Sequence, residues 1–298
     1  MIRGAGLSGL KFVSEVDDNR MVEQIHRFVK KGKSLAARLA RRMLGIVPRI
    51  ASGPGKGLRF DVGHATAGFV SGEYECPVQN AVTSLVRGGD VFYDIGANVG
   101  FFSVLAGRLV GQAGAVYAFE PVPANASMVE RNARLNHLGN IEVFRVAVSN
   151  QTGRSELFLA HYDGGAALKS AGVPPDLAGS MVVDTSSIDD LVELRRIRPP
   201  DVVKIDVEGA EIEVLHGMLH VLKKWSPKII LEVDDADETR CEGKLASCRE
   251  FLEDLHYRCE VLSKSYRDGK WFVRHLAARH EATMTTSDDA SVMNSSTS

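Results

Sequence analysis

The chain has 298 residues, enough for one large α/β domain or two small ones, and a hydrophobic fraction of 44%, ordinary for a globular protein with a substantial core. Its formal net charge of −2 excludes strong overall attraction to nucleic acid or to anionic lipid. Cys76, Cys241, Cys248 and Cys259 show neither Cys-x-x-Cys spacing nor a His-Cys cluster, which argues against a disulfide framework or a zinc site and for a reduced, cytoplasmic setting; no apolar run has the length of a membrane span or the form of a secretory signal.

Residues 21 to 47 carry Met21, Ile25, Phe28, Leu35, Leu39, Met43 and Ile46 at helical spacing, with Lys30, Lys31, Arg38, Arg41 and Arg42 between them. This predicts a basic amphipathic helical extension over residues 1–50. It packs over the following domain with a solvated basic face, or it offers residues 20–50 to a membrane surface or an acidic partner. The loop Ser52 to Gly57 opens a domain expected over 51–280, and residues 281–298, rich in Ser, Thr and Asp, read as a disordered tail.

Within that domain, apolar runs alternate with helical patterns. Strands are expected at 91–95, 115–119, 141–148, 201–206 and 228–233, which implies βαβ units in a mostly parallel sheet. Phe102, Leu105, Ala106 and Leu109 give the helix after Gly100 an apolar side, and Pro123 begins the next helix, where its missing N–H costs nothing. Residues 161–180, broken by Gly164-Gly165, Pro174-Pro175 and Gly179, read as a long irregular loop that shapes a pocket together with 64–75. Tyr257–Leu262 and Trp271–Leu276 predict a closing antiparallel hairpin.

The most informative run is Val91 to Gly100, an apolar strand that ends in Asp94 and turns through Gly96-Ala97-Asn98-Val99-Gly100 into a helix. Open α/β sheets bind ligands at the carboxyl ends of their strands, and glycine lets the backbone approach closely. Glu120, ending the next strand, supplies an acceptor where ribose hydroxyls would lie. The third glycine of a pyrophosphate-binding turn is missing, so a nucleoside without a pyrophosphate fits better than a nicotinamide dinucleotide. S-adenosyl-L-methionine is the commonest such cofactor, and Asp94 can hold its cationic amino-acid end. A second strand, Asp201 to Asp206, places Lys204 and Asp206 on one face and is followed by Glu208 and Glu211.

Asp94-Ile95-Gly96-Ala97-Asn98-Val99-Gly100-Phe101-Phe102-Ser103, Phe119-Glu120-Pro121, Ile188-Asp189-Asp190-Leu191 and Lys204-Ile205-Asp206-Val207-Glu208-Gly209-Ala210-Glu211 together resemble the FkbM family of S-adenosylmethionine-dependent methyltransferases. The resemblance runs from about residue 53 to 235. It implies a Rossmann-like class I methyltransferase sheet, mostly parallel, with the antiparallel C-terminal hairpin. It also implies that Tyr74 and Glu75 cap the cofactor, that Asp94, Gly96, Asn98 and Gly100 meet its methionine part, and that Glu120 meets its ribose. Ala147 and Val148 would flank the adenine, and Asp206 would lie beside the methyl group with Glu208 near it. Asp206 and Glu208 are therefore the expected proton acceptors in methyl transfer to a hydroxyl of a small-molecule or carbohydrate acceptor. Pro199-Pro200 precedes its strand and lacks a following aromatic residue, unlike the Asn-Pro-Pro-Tyr of amino-methyltransferases, which favours oxygen as acceptor.

His216 reads as a surface residue at a helix end. No metal site is assigned: Asp206, Glu232, Asp234 and Asp235 offer oxygen ligands suited to Mg²⁺, but the acidic run 234–238 reads as a solvated loop. Two rivals stay open, a nicotinamide-dependent oxidoreductase and a scaffold that keeps the fold without turnover. Nucleic acid is not an expected partner, because basic residues gather in the N-terminal extension without interleaved aromatics.

Overall fold

A computed structural model describes residues 47–61, 68–160, 166–173, 177–266 and 271–283. The expected amphipathic extension, apart from residues 47–50, and the polar tail from residue 284 lie outside the described residues. His161 and Tyr162, in the expected pocket loop, do so too. The compact unit that carries the sheets begins at Pro48. Ile50, Leu58 and Phe60 are already buried, and Arg49 bridges Arg59.

The elements in chain order are α1 (Gly68–Ser71), α2 (Cys76–Leu85), β1 (Val91–Ile95), α3 (Phe101–Val110), β2 (Ala115–Phe119), α4 (Pro123–Leu135), β3 (Ile141–Phe144), β4 (Ala147–Val148), β5 (Gly153–Ala160), β6 (Ala166–Leu168), β7 (Leu177–Ser186), α5 (Ile188–Glu193), β8 (Val202–Ile205), α6 (Glu211–His216), α7 (Leu219–Trp225), β9 (Lys228–Asp235), α8 (Glu238–Glu253), β10 (Tyr257–Val261) and β11 (Phe272–His280). The main sheet has the order β10-β11-β9-β8-β1-β2-β3. β3, β2, β1, β8 and β9 pair in parallel, while β11 runs antiparallel between β9 and β10. The chain builds outward from β1 to β3 and resumes at β8 on the other side of β1, so the β1/β8 boundary is a topological switch point.

Every residue of β1 is buried because helices cover both faces of the sheet. Val91, Tyr93 and Ile95 join a core with residues of α5 to α8, whereas Phe92 joins a second core with residues of α2 and α3. This alternation puts Asp94 on the face covered by α2 and α3. Val202 and Ile230 belong to that second core as well, so Lys204 and Glu232, two residues further along their strands, share the same face.

Three expectations need correction. The run 141–148 is not one strand: it divides at Arg145-Val146, and β4 pairs with β7 in a separate four-stranded sheet of order β4-β7-β5-β6. The expected irregular loop 161–180 contains β6 and the start of β7, which pairs antiparallel with β5 over eight register positions. Its glycines and prolines hid strands whose period-2 pattern is weak, since β5 and β7 are largely exposed or half-buried. Finally, Asp234 and Asp235 are the last residues of β9 and not part of a solvated loop. Asp234 is buried and accepts a hydrogen bond from Trp271 Nε1 at 2.5 Å.

Candidate active site

The carboxyl ends of β1, β2 and β8 open onto a cleft. Gly96, Asn98, Glu120, Asp206 and Glu208 line it, and Val146, Ala147, Val148, Leu157 and Leu168, contributed largely by the small sheet, add an apolar wall.

Gly96 fixes this geometry. It has φ +79°, and a Cβ there would lie 1.7 Å from the Asp206 carbonyl oxygen. The glycine thus lets the tips of β1 and β8 meet, with Asp206 N donating to Ile95 O at 3.0 Å. Asn98, also left-handed at φ 49°, points its backbone N–H back at Glu120.

Glu120 is held as a fixed acceptor. Asn98 N donates to Oε2 at 2.8 Å and Val122 N to Oε1 at 2.9 Å, and the Asn125 side chain is a third donor. Burial raises the Glu120 carboxyl to about 7 against the pull of these backbone donors.

Behind Gly96, Asp94 is 1% exposed. Ser103, in the first turn of α3, donates to Oδ2 at 2.5 Å, and Oδ1 has no hydrogen-bond partner. Burial lifts this carboxyl above its ordinary range, and Lys204 and Ser103 partly reverse the shift. Lys204 lies opposite Asp94 in the β1–β8 register. Its Nζ is 2.9 Å from Asp206 Oδ2 and 4.9 Å from the centroid of Phe102. Burial disfavours the ammonium, but Asp206, Asp94, Glu75 and Glu232 outweigh that effect and raise its pKa.

Glu208 is also left-handed, at φ 54°. Burial and neighbouring Asp234 push its carboxyl well above the usual range, and the two carboxyls share a hydrogen bond. A non-glycine residue in this conformation costs on the order of 1–3 kcal/mol, and such residues gather at functional sites.

Of the residues expected from the sequence, Gly96, Asn98, Glu120, Ala147, Val148, Asp206 and Glu208 line the cleft. Four do not. Asp94 is buried. Gly100 instead makes room for α4, since a Cβ there would be 3.0 Å from Val129 Cα. Tyr74 packs against Phe69, Phe101 and Phe102. Glu75 is buried at the start of α2, where Tyr266 donates to its Oε1 at 2.7 Å. His216 is exposed, as expected.

Sequence reasoning missed His275. It faces Glu232 in the β9–β11 register, with Nε2 2.6 Å from Glu232 Oε2. Burial pushes its pKa down to about 4, so the ring is neutral near pH 7. Only the pairing of two distant strands brings these residues together, and no local motif marks it.

The sequence profile of the methyltransferase FkbM domain matches residues 94–259. The chain belongs to the FkbM methyltransferase family. It is 30% identical over 163 residues to the hexuronic acid methyltransferase AglP of Haloferax volcanii, a match covering 53% of this chain and 64% of that relative. It is 28% identical over 179 residues to the 31-O-demethyl-FK506 methyltransferase FkbM of Streptomyces tacrolimicus, covering 51% of this chain and 68% of the relative. A solved FkbM methyltransferase from Methylobacillus flagellatus is 18% identical with a TM-score of 0.44, covering 67% of this chain and 50% of that one. The family match runs from the end of β1 into β10 and so contains the glycine turn, Glu120 and the Asp206 tip.

Proposed function

We propose that this protein is an S-adenosylmethionine-dependent O-methyltransferase acting on a hydroxyl of a sugar or other small molecule. The observation that carries the reading is Glu120: a carboxylate fixed by two backbone N–H groups, in a cleft it shares with the apolar wall and Asp206. This arrangement suits a nucleoside. Ribose hydroxyls would donate to Glu120, and adenine would lie against Val146, Ala147, Val148, Leu157 and Leu168. Family membership supports methyl transfer, and the name of the 31-O-demethyl-FK506 enzyme supports an oxygen acceptor.

Bound S-adenosylmethionine supplies a methyl group activated by its attachment to a positively charged sulfur. The chain has to align the acceptor hydroxyl and take up its proton. We assign the proton to Asp206, which faces the cleft and is oriented by Lys204 at 2.9 Å. Glu208, tied to Asp234, shapes the acceptor end of the cleft. The acidic tips also favour the cationic cofactor over its neutral demethylated product, which aids release.

The test uses labelled cofactor and a panel of hexuronic acids and hydroxylated small molecules. On the best acceptor, Asp206→Asn should lower kcat by about 10²–10⁴-fold, while cofactor affinity by calorimetry stays within about tenfold. Turnover close to that of the parent would reject Asp206 as the proton acceptor.

A further inference from the structure

Beside the cleft, on the face covered by α2 and α3, the polar row formed by Asp94, Lys204 and Asp206 continues across the sheet to Glu232 and His275, and Glu75 approaches it from the start of α2. We propose that Glu75, Glu232 and His275 form a binding site for a divalent first-row transition ion of the Mn²⁺ or Zn²⁺ class. One ligand atom from each of the three residues lies within 4.8 Å of the others.

Three features of the structure support this assignment. First, the ligands come from three separate segments, the start of α2, β9 and β11, so no local sequence constraint forces them together. Sheet register sets Glu232 opposite His275. Glu75 is held at φ 41°, a conformation that carries a cost for a non-glycine residue and that turns its buried carboxyl inward.

Second, the cluster contains orphaned polar atoms. Glu75 is 3% exposed and its Oε2 has no hydrogen-bond partner; His275 is 1% exposed and its Nδ1 has none. Buried groups of this kind are rare unless they await a ligand. Tyr266 orients the other oxygen of Glu75 from outside the cluster, as groups behind metal ligands commonly do.

Third, the nearby ammonium is taken. Lys204 Nζ pairs with Asp206 at 2.9 Å, whereas the hydrogen-bond partners of Glu75 and Glu232 are Tyr266 and His275. A divalent cation seated among the three ligand atoms would meet both carboxyls and one imidazole nitrogen. One imidazole with two carboxylates suits Mn²⁺ or Zn²⁺ better than Mg²⁺, which prefers an all-oxygen shell. The site stands on these contacts and does not depend on the methyl-transfer reading. Its electrostatic coupling to Asp206 would nonetheless let an ion there influence acceptor chemistry.

The experiment is titration of the metal-stripped, full-length protein with MnCl₂, followed by electron paramagnetic resonance, with ZnCl₂ competition and no cofactor present. We expect one Mn²⁺ per chain, nitrogen modulation of its signal from an imidazole, and displacement by Zn²⁺. His275→Gln should abolish the nitrogen modulation, and both His275→Gln and Glu75→Gln should weaken binding at least tenfold. Substitution of the exposed Glu250, Glu250→Gln, should leave binding as in the parent. Circular dichroism establishes that each variant is folded, and Glu75→Gln serves if His275→Gln is not. Absence of binding at 1 mM MnCl₂ (about 4 kcal/mol of binding free energy), or undiminished binding in a folded variant, would overturn the proposal. Cofactor affinity measured separately on the stripped protein distinguishes failure of this site from failure of the methyltransferase reading.

Discussion

The cleft and the polar row beside it are built by different means. On the β1/β2 side, Gly96, Asn98 and Glu120 act through the backbone: a glycine turn lets strand tips meet, and main-chain N–H groups clamp a carboxylate. On the β8/β9/β11 side, Asp206, Glu232 and His275 act through side chains that neighbouring strands bring side by side. The first kind of site is written into a few consecutive residues, whereas the second exists only once the sheet has formed. The backbone-built side should therefore tolerate no change of shape, and the side-chain-built side should separate into individual functions.

Gly96→Ala gives the largest expected effect. Its Cβ would fall 1.7 Å from the Asp206 carbonyl oxygen at φ +79°, so the β1/β8 junction must open, at a cost of about 3 kcal/mol or more. A fall in denaturation midpoint together with lost cofactor binding is expected; a variant of parental stability would mean that the two tips are not locked together.

Glu120→Ala should weaken cofactor binding by about 10–100-fold, about 1.5–3 kcal/mol, with a smaller change in kcat at saturating cofactor. Calorimetry and steady-state kinetics read the two effects apart. An unaltered Kd would remove Glu120 from the nucleoside site.

The third effect is the smallest at the pH of maximum stability and grows with pH. Burial raises the Glu211 carboxyl to about 7, above its ordinary 4.5, although Gly209 N donates to it. Below pH 4.5 both folded and unfolded forms are protonated and the residue is neutral in the balance. Between 4.5 and 7 the unfolded chain ionises first, so stability falls as pH rises, by about 3 kcal/mol when complete. Glu211→Gln keeps the acceptor for Gly209 and should gain on the parent across that window in thermal melts. Parallel pH profiles of variant and parent would contradict the assignment.

This contrast also explains what could be read from the sequence. The five parallel strands, the glycine turn and the carboxylates Asp94, Glu120 and Asp206 were legible because each is a contiguous pattern. β5 to β7 were not, because the small sheet is half-exposed and is interrupted by Gly and Pro, so its alternation is faint. His275 was hidden because it lies 43 residues from Glu232 and meets it only through strand pairing. Glycine chemistry is only partly anticipated: Gly96 and Gly100 are expected to admit a ligand, yet Gly96 also makes room for the tip of β8, and Gly100 instead makes room for α4.

The most direct test of the central claim is a crystal structure of the protein with S-adenosylhomocysteine. The expected result is a ribose within hydrogen-bond distance of both Glu120 oxygens, adenine against Ala147, Val148 and Leu157, and the sulfur turned toward Asp206. A nucleoside bound elsewhere, or one that leaves Glu120 untouched, would contradict the account.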